Sequence, residues 1–467
     1  MEKNFNGSIT IYLSLSLTII MAVLGLIIES ARDVSLSARL SEATFMAEDA
    51  LFSEYIASMY EDYGIMAFYK TDEEICGKIK DYCNFNLDPH SVFYKNYNLL
   101  KAKSKNVEIT EANYITDYGA KAFIEQACEY IKYSAPKEAA SKLLENMNTV
   151  NTASNDVESS FADEGFEENE DYQKTKNLLD WVKDLVDSGS LLFVTDESAL
   201  SKKCVDQSNL PSEIAYNDKD NGAGLLEKAE MSVYYSNNFA CFTDEHKEDN
   251  PLDYEMEYIF AGKDSDKANL ASVVRSLSLM RQGLDFAYLL TDKQKQAEAE
   301  AVALTISAVI LNPELEKPIE YLLLALWSYA ESQADVKALL AGDKVSLLKT
   351  ADEWQTSVSS IFSFSDTVEA AGGIKEEKGL SYKEYLSMLI ATKNLTKTAF
   401  NALDIIQMNI QKKEETVFMM SGAITGLTVN ARFESNMPFS AFGFVKKLIE
   451  KQAGSKYEKT ITQSYSY

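Results

Sequence analysis

Histidine is nearly missing from this sequence. His90 and His246 are the only two in 467 residues, and neither stands beside a Cys or a carboxylate at metal-ligand spacing. No HExxH, GxSxG, Walker or CxxC pattern occurs. The familiar metallohydrolase, serine-hydrolase, nucleoside-triphosphate and dithiol chemistries therefore have no recognisable seat. The five cysteines, Cys76, Cys83, Cys128, Cys204 and Cys241, are an odd set in a long chain, which argues against a disulfide scaffold. Cys76 and Cys83 share a helix face but lie about two turns, roughly 10 Å, apart, beyond disulfide reach. Buried free thiols are the simpler reading. Positive charge is also scarce: 45 basic side chains stand against 72 acidic ones, a formal net charge of -27. A field of that sign repels nucleic acid and anionic lipid, so nucleic acid is excluded as a partner.

Long apolar runs are rare as well, with one exception. Residues Ile9 to Ile28, ITIYLSLSLTIIMAVLGLII, follow a seven-residue polar leader and contain no Asp, Glu, Lys or Arg. About twenty residues rising roughly 1.5 Å each span about 30 Å, the hydrocarbon thickness of a bilayer. Their Ser and Thr hydroxyls can bond back to helix carbonyls. A cleaved secretory signal has a shorter apolar region followed by small residues, and Ser35-Leu36-Ser37-Ala38 offers such a site. The length of the run favours an uncut anchor. Charges flanking it are mixed, Lys3 and Glu2 before, Arg32 and Arg39 among Glu29, Asp33 and Glu42 after, so the positive-inside bias is almost silent. A short leader before a first anchor stays in the cytoplasm. The expectation is a single-pass protein of the cell membrane with an extracytoplasmic C-terminal head.

Beyond the anchor the helical pattern continues. Leu36, Leu40, Ala43, Ala47 and Ala50 recur at spacings of four and three, and no Pro or Gly occurs between Leu26 and Tyr63. One rod from Ser8 to Tyr60, roughly 80 Å long, is expected, with Gly64 as the first stop and a break near Ser30 as the alternative. Residues 105 to 118 alternate as a strand, and Gly119 opens a helix through Tyr133. Residues 148 to 173 carry eight carboxylates and no base, the pattern of a solvated acidic loop. Asp218 to Gly222 has the look of a calcium loop without EF-hand spacing. Residues 253 to 262, DYEMEYIFAG, read as a half-buried strand, and 421 to 433 as another that pairs with it and with 105 to 114. Helices are expected at 265 to 290, 293 to 311, 314 to 340 and 382 to 413, with YLLLALW around Trp327 as a core helix. The fold class is α+β, mostly helical: a transmembrane helix continuing into a long stalk helix, then a helical head with a small antiparallel sheet. The expected division is leader 1 to 7, membrane helix 8 to 29, stalk 30 to 65, and a head in two parts, 66 to 250 and 251 to 467.

Candidate sites are few. Gly7 and Ser8 form a possible processing site. Glu29, Arg32, Leu36, Leu40, Ala43 and Ala47 mark the membrane edge and a helix face suited to lateral packing, where small residues allow close approach. Tyr254, Glu255, Glu257 and Trp327 are candidates for a head pocket. Two carboxylates two apart on a strand share a face, as acid-base work requires, yet the solvated face of a half-buried strand gives the same pattern. Trp327 and Trp354 read as core rather than platform. No cofactor or metal is implied, and no enzyme.

The stretch GSITIYLSLSLTIIMAVLGLIIESAR, with EDALFSEY and EDYGIMAFY, resembles the start of domain-of-unknown-function family 5702, membrane proteins of anaerobic Gram-positive bacteria. Similar blocks recur at 115 to 136, 252 to 290, 326 to 354 and 379 to 390. The resemblance implies an address rather than a reaction: genes of that family accompany Tad (Flp-type) pilus machinery. The implied role is an accessory, pseudopilin-like structural or assembly component, with the bilayer and other envelope or pilus-assembly proteins as partners. The chain departs from ordinary type IV pilins, which carry Glu at the fifth mature position; a cut after Gly7 would place Tyr12 there. An anchored surface protein binding a wall polymer, cation or host ligand is the alternative.

Overall fold

The computed structural model describes residues 6–88, 101–136, 138–163, 200–214, 216, 224–245, 250–363, 379–414, 416–436 and 456–467. In chain order the helices and strands are α1 (Asn6–Phe52), α2 (Ala57–Tyr63), α3 (Asp72–Leu87), β1 (Lys103–Tyr114), α4 (Asp117–Ser134) and α5 (Ala139–Asp163). Next come α6 (Pro211–Ile214), α7 (Leu225–Asn238), α8 (Glu255–Ala261), α9 (Asp266–Thr291), α10 (Lys293–Ile310) and α11 (Glu316–Leu340). The series closes with α12 (Tyr382–Ala391), α13 (Leu395–Glu414), β2 (Ile424–Asn436) and β3 (Lys456–Ser466). The chain forms two compact units: residues 1–60, 66–115 and 422–467 make the first, 61–65 and 116–421 the second. The division expected at residue 250 is thereby corrected, because strands from both ends of the sequence pair with each other.

The first unit is an antiparallel sheet in the order β1-β2-β3 with α1 and α3 on one face. Central strand β2 alternates as the sequence indicates: Leu427, Val429, Ala431 and Phe433 are buried, while Arg432 is exposed. Their cover is Leu36, Leu40, Ala47 and Leu51 of α1 with Ile75, Ile79 and Cys83 of α3. The apolar face read from α1 is therefore real, but it is this unit's own core. The expectation of a free stalk offering Leu36, Leu40, Ala43 and Ala47 to a neighbour is overturned, since all four are buried within the chain.

α1 runs unbroken through Ser30 for 47 residues, about 70 Å. It ends at Phe52 rather than near Tyr60, with no Gly or Pro to stop it. The backbone amide of Ile56 is taken by the Ala67 carbonyl at 2.9 Å, which bends the chain away. Glu54, just past the helix, is held by Lys78 at 2.6 Å, Lys70 at 3.0 Å and Tyr82 at 2.5 Å. Burial works against its charge, yet those hydrogen bonds bring the Glu54 carboxyl down to about 2. Strand β3, not foreseen in the sequence, clamps the polar flank of α1: Tyr457 donates to Asp33 at 2.8 Å, and Tyr465 to Asp49 at 2.7 Å.

The second unit is helical. α9, α10, α11 and α13 lie close to their expected bounds, except that 382 to 413 is two helices, α12 and α13. α11 is buried along most of its length, as YLLLALW predicts. Two readings are corrected. Residues 148 to 163 are helix rather than loop: α5 buries Leu143, Met147 and Ala153, and the hydroxyls of Thr149 and Thr152 bond back to carbonyls four residues earlier. The rest of that acidic stretch, the 218 to 222 loop, His90 and His246 lie outside the described residues. Residues 253 to 262 are not a strand. α8 occupies them and stops at Gly262, whose left-handed φ of 63° serves as its cap. All residues from Glu255 to Phe260 are buried, so no face stays polar to reveal the helical period.

Candidate functional site

Tyr254, Glu255 and Glu257 come together with the loop after α7, and Trp327 lies elsewhere in the helical unit, in the cluster formed by α9, α10 and α11. The four do not form one pocket. Glu255 accepts the Ala240 amide at 2.9 Å, and Asn250 and Asn409 at 3.1 and 2.8 Å. Glu257 accepts the Phe242 amide at 2.9 Å and the Tyr382 hydroxyl at 2.7 Å. Neither carboxylate is solvated, contrary to the strand reading: Glu255 is 3% and Glu257 0% exposed. Burial raises Glu257 to about 7 against the pull of its donors. Asp266 and Asp404 follow the same design. Asp266 takes the amides of Asp253 and Tyr254 at 3.0 and 3.1 Å, and Asp404 the Ser212 amide at 2.9 Å. Glu255, Glu257, Asp266 and Asp404 thus fasten neighbouring segments by their backbone amides.

A second constellation escaped the sequence reading. Arg281 and Asp285 on α9 meet Glu331 and Asp335 on α11, with Lys349 from the segment that follows. Arg281 reaches Asp335 at 2.7 Å and Asp285 at 2.9 Å, and donates to the carbonyls of Ser346 and Leu347 at 3.0 and 2.9 Å. Lys349 pairs with Asp335 at 2.5 Å and with Glu331. Glu331 also takes the amides of Gln355 and Thr356, both at 2.9 Å. Burial opposes the Lys349 charge, but the surrounding carboxylates outweigh it and raise the ammonium above its ordinary value. For Asp285 burial outweighs Arg281, so its carboxyl is pushed up. Among the described residues its second oxygen has no donor, and the cluster sets three acids against two bases.

A groove of about 750 Å³ between α5 and α9 reaches this cluster only at Lys349; Glu145, Asn148, Thr152, Leu284 and Tyr288 make up much of the remaining wall. The carboxylates face inward, so the cluster ties α9, α11, α12 and the 345–356 segment together. One signal pointed to it: charged pairs at i, i+4 (Arg281/Asp285, Glu331/Asp335) inside otherwise apolar helices. Trp327 is core, donating to Thr356 at 3.0 Å and packing edge-on against Trp354 at 5.9 Å. Lys295 lies over both rings, 4.9 and 4.8 Å from their centroids.

At the other expected site, Glu29 pairs with Arg32 at 3.6 Å, and Arg32 donates to Ser435 at 3.0 Å. Gly7 and Ser8 fall in the first turns of α1. Over residues 9 to 28 the large apolar side chains whose burial is described stand exposed: Ile11, Tyr12 and Leu13 are 70, 74 and 66% exposed. Their hydroxyls are satisfied inside the helix, Ser14 to Ile11, Ser16 to Leu13 and Thr18 to Ser14, at 3.0, 3.0 and 2.7 Å. This helix is long and apolar enough to cross a membrane. Among the described residues no group of three or more His, Cys, Asp or Glu is arranged to hold a metal ion. Five free cysteines are present, of which Cys204 is exposed rather than buried.

A family model described as a family of unknown function, DUF5702, matches residues 167–435, more than half the chain. No curated protein and no solved structure matches.

Proposed function

This chain belongs to the family of unknown function DUF5702, and we propose that it is a single-pass, membrane-anchored envelope protein. In this reading it is a non-enzymatic accessory component of a Tad-type pilus or secretion assembly, with its two folded units outside the cytoplasm. One observation carries the reading: α1 is bare over residues 9 to 28 and forms the core of the sheet unit over residues 36 to 52. A helix built this way fixes a folded unit to the bilayer without a flexible joint. Its bare half, with hydroxyls bonded back and no charge, remains free to pack against other membrane helices. Lateral association is thereby assigned to residues 9 to 28 rather than to Leu36, Leu40, Ala43 and Ala47.

Crosslinking in native membranes followed by mass spectrometry of the captured partners tests this. Recovery of pilus-assembly or secretion components through photo-crosslinkers placed at Leu17 or Leu24 is expected. Capture of none, from membranes in which those components are present, contradicts the assembly role. The same spectra read the mature N-terminus, and a chain starting at Ser8 supports the pseudopilin-like form.

A further inference from the structure

Within the helical unit, a cavity of about 510 Å³ lies between the start of α9, the end of α8 and the start of α13. Four of its lining residues are basic, Lys263, Arg275, Lys393 and Lys397, and none is acidic. That composition runs against the chain as a whole, in which acids outnumber bases 72 to 45. Among the described residues Lys263, Lys393 and Lys397 make no ion pair. Lys393 is half-buried and fixed, its ammonium 4.1 Å from the centre of the Phe260 ring. Burial, followed by the neighbouring charge of Lys397, makes that ammonium harder to keep protonated. Gathering like charges in one cavity costs free energy unless something of opposite sign enters.

The local backbone adds to the field. α13 begins at Leu395, so the positive end of a 20-residue helix opens beside Lys393 and Lys397. Asn394 caps it by accepting the Lys397 amide at 3.0 Å. On the facing helix α9, Ser276 lines the cavity with its hydroxyl. Compact ammonium groups, a guanidinium fork, a helix N-terminus and a hydroxyl suit a phosphate better than a carboxylate, because a phosphate offers three acceptor oxygens and up to two charges. The volume exceeds that of one phosphate and accommodates the alcohol it esterifies.

We propose that this cavity is a binding site for a phosphate ester, held by Lys263, Arg275, Lys393 and Lys397 at the α13 N-terminus. The inference rests on the helical unit alone. A chain that failed to embed in membranes would leave it untouched.

The test uses the full chain in a neutral detergent, with glycerol 3-phosphate as the soluble probe in calorimetric titration. Flotation with phosphatidylcholine vesicles, with and without phosphatidylglycerol, is the second arm. Saturable binding that weakens with added salt is expected in at least one arm. Uptake of the soluble ester assigns a soluble ligand, and phosphatidylglycerol-dependent flotation alone assigns a lipid headgroup. Lys397→Gln, at an exposed position, is expected to weaken binding about tenfold, and Lys393→Gln by at least as much. Lys121→Gln on α4 is the charge control and should change nothing. Thermal melting establishes that each variant is folded. No saturable binding in either arm, or unchanged affinity in folded Lys397→Gln, overturns the proposal.

Discussion

Glu48 shows how this acidic chain treats charge at the level of single residues. It sits on the buried side of α1 with no accessible surface, and among the described residues neither carboxylate oxygen has a donor. Burial pushes its carboxyl up to about 8, so the folded sheet unit holds a proton that the unfolded chain releases. Because the folded value lies above the ordinary 4.5, stability is full below the ordinary value and falls as pH rises towards about 8. The slope reaches at most about 1.4 kcal/mol per pH unit. Glu48→Gln should flatten that dependence and stabilise the unit at neutral pH, read by hydrogen exchange of the β2 amides across this range. An unchanged slope in the variant would assign the dependence to other groups. The Arg281 cluster predicts the opposite behaviour. Lys349→Met leaves Glu331 and Asp335 short of a cation and should cost about 3–5 kcal/mol, measured by denaturant unfolding of the helical unit. At this scale the sequence was partly legible. The buried network of Arg281, Asp285, Glu331 and Asp335 went unread although its charges are spaced i, i+4 in apolar helices, and Glu255 and Glu257 read as solvated because the backbone amides that bind them lie in a loop no local pattern reveals.

Among the elements, long helices declared themselves through periodicity and caps. Asp292, a capping residue that accepts two amides at 3.0 and 3.2 Å, and Pro313 fall where the boundaries of α10 are drawn. Short or fully buried elements did not. α8 is seven residues long and buried on all sides, so its alternating aromatics imitate a strand. The end of α1 was misplaced because tertiary pairing of Ile56 with Ala67, rather than a helix-breaking residue, terminates it. β3 went unseen because only one side of it, Tyr457, Ile461 and Tyr465, is even half-buried. That strand has a testable duty. It pairs with β2 from Gly426 to Asn436 and covers what would otherwise be a free edge. Deleting residues 456–467 should expose β2, loosen the contacts of Asp33 and Asp49 on α1, and convert the protein to aggregating material in size-exclusion chromatography. A truncated chain that stays monodisperse with β2 amides protected would refute that role.

For the molecule as a whole, the acid excess and the single apolar run set the terms. Residues 103–114 and 424–436 pair across some three hundred positions of sequence, a contact no short-range pattern reports, and this is why the unit boundaries differ from a linear division. The mostly helical class with a small antiparallel sheet was legible, since it rests on composition and period alone. Family membership rests on residues 167–435, and it supplies no reaction. α1 as a membrane element is therefore the central claim. Its most direct test is the partition of the native protein after an alkaline carbonate wash of cell membranes, compared with a variant carrying Leu17→Lys and Ile20→Lys. Retention of the native chain in the membrane pellet and release of the variant are predicted; a native chain that washes into the soluble fraction contradicts the account.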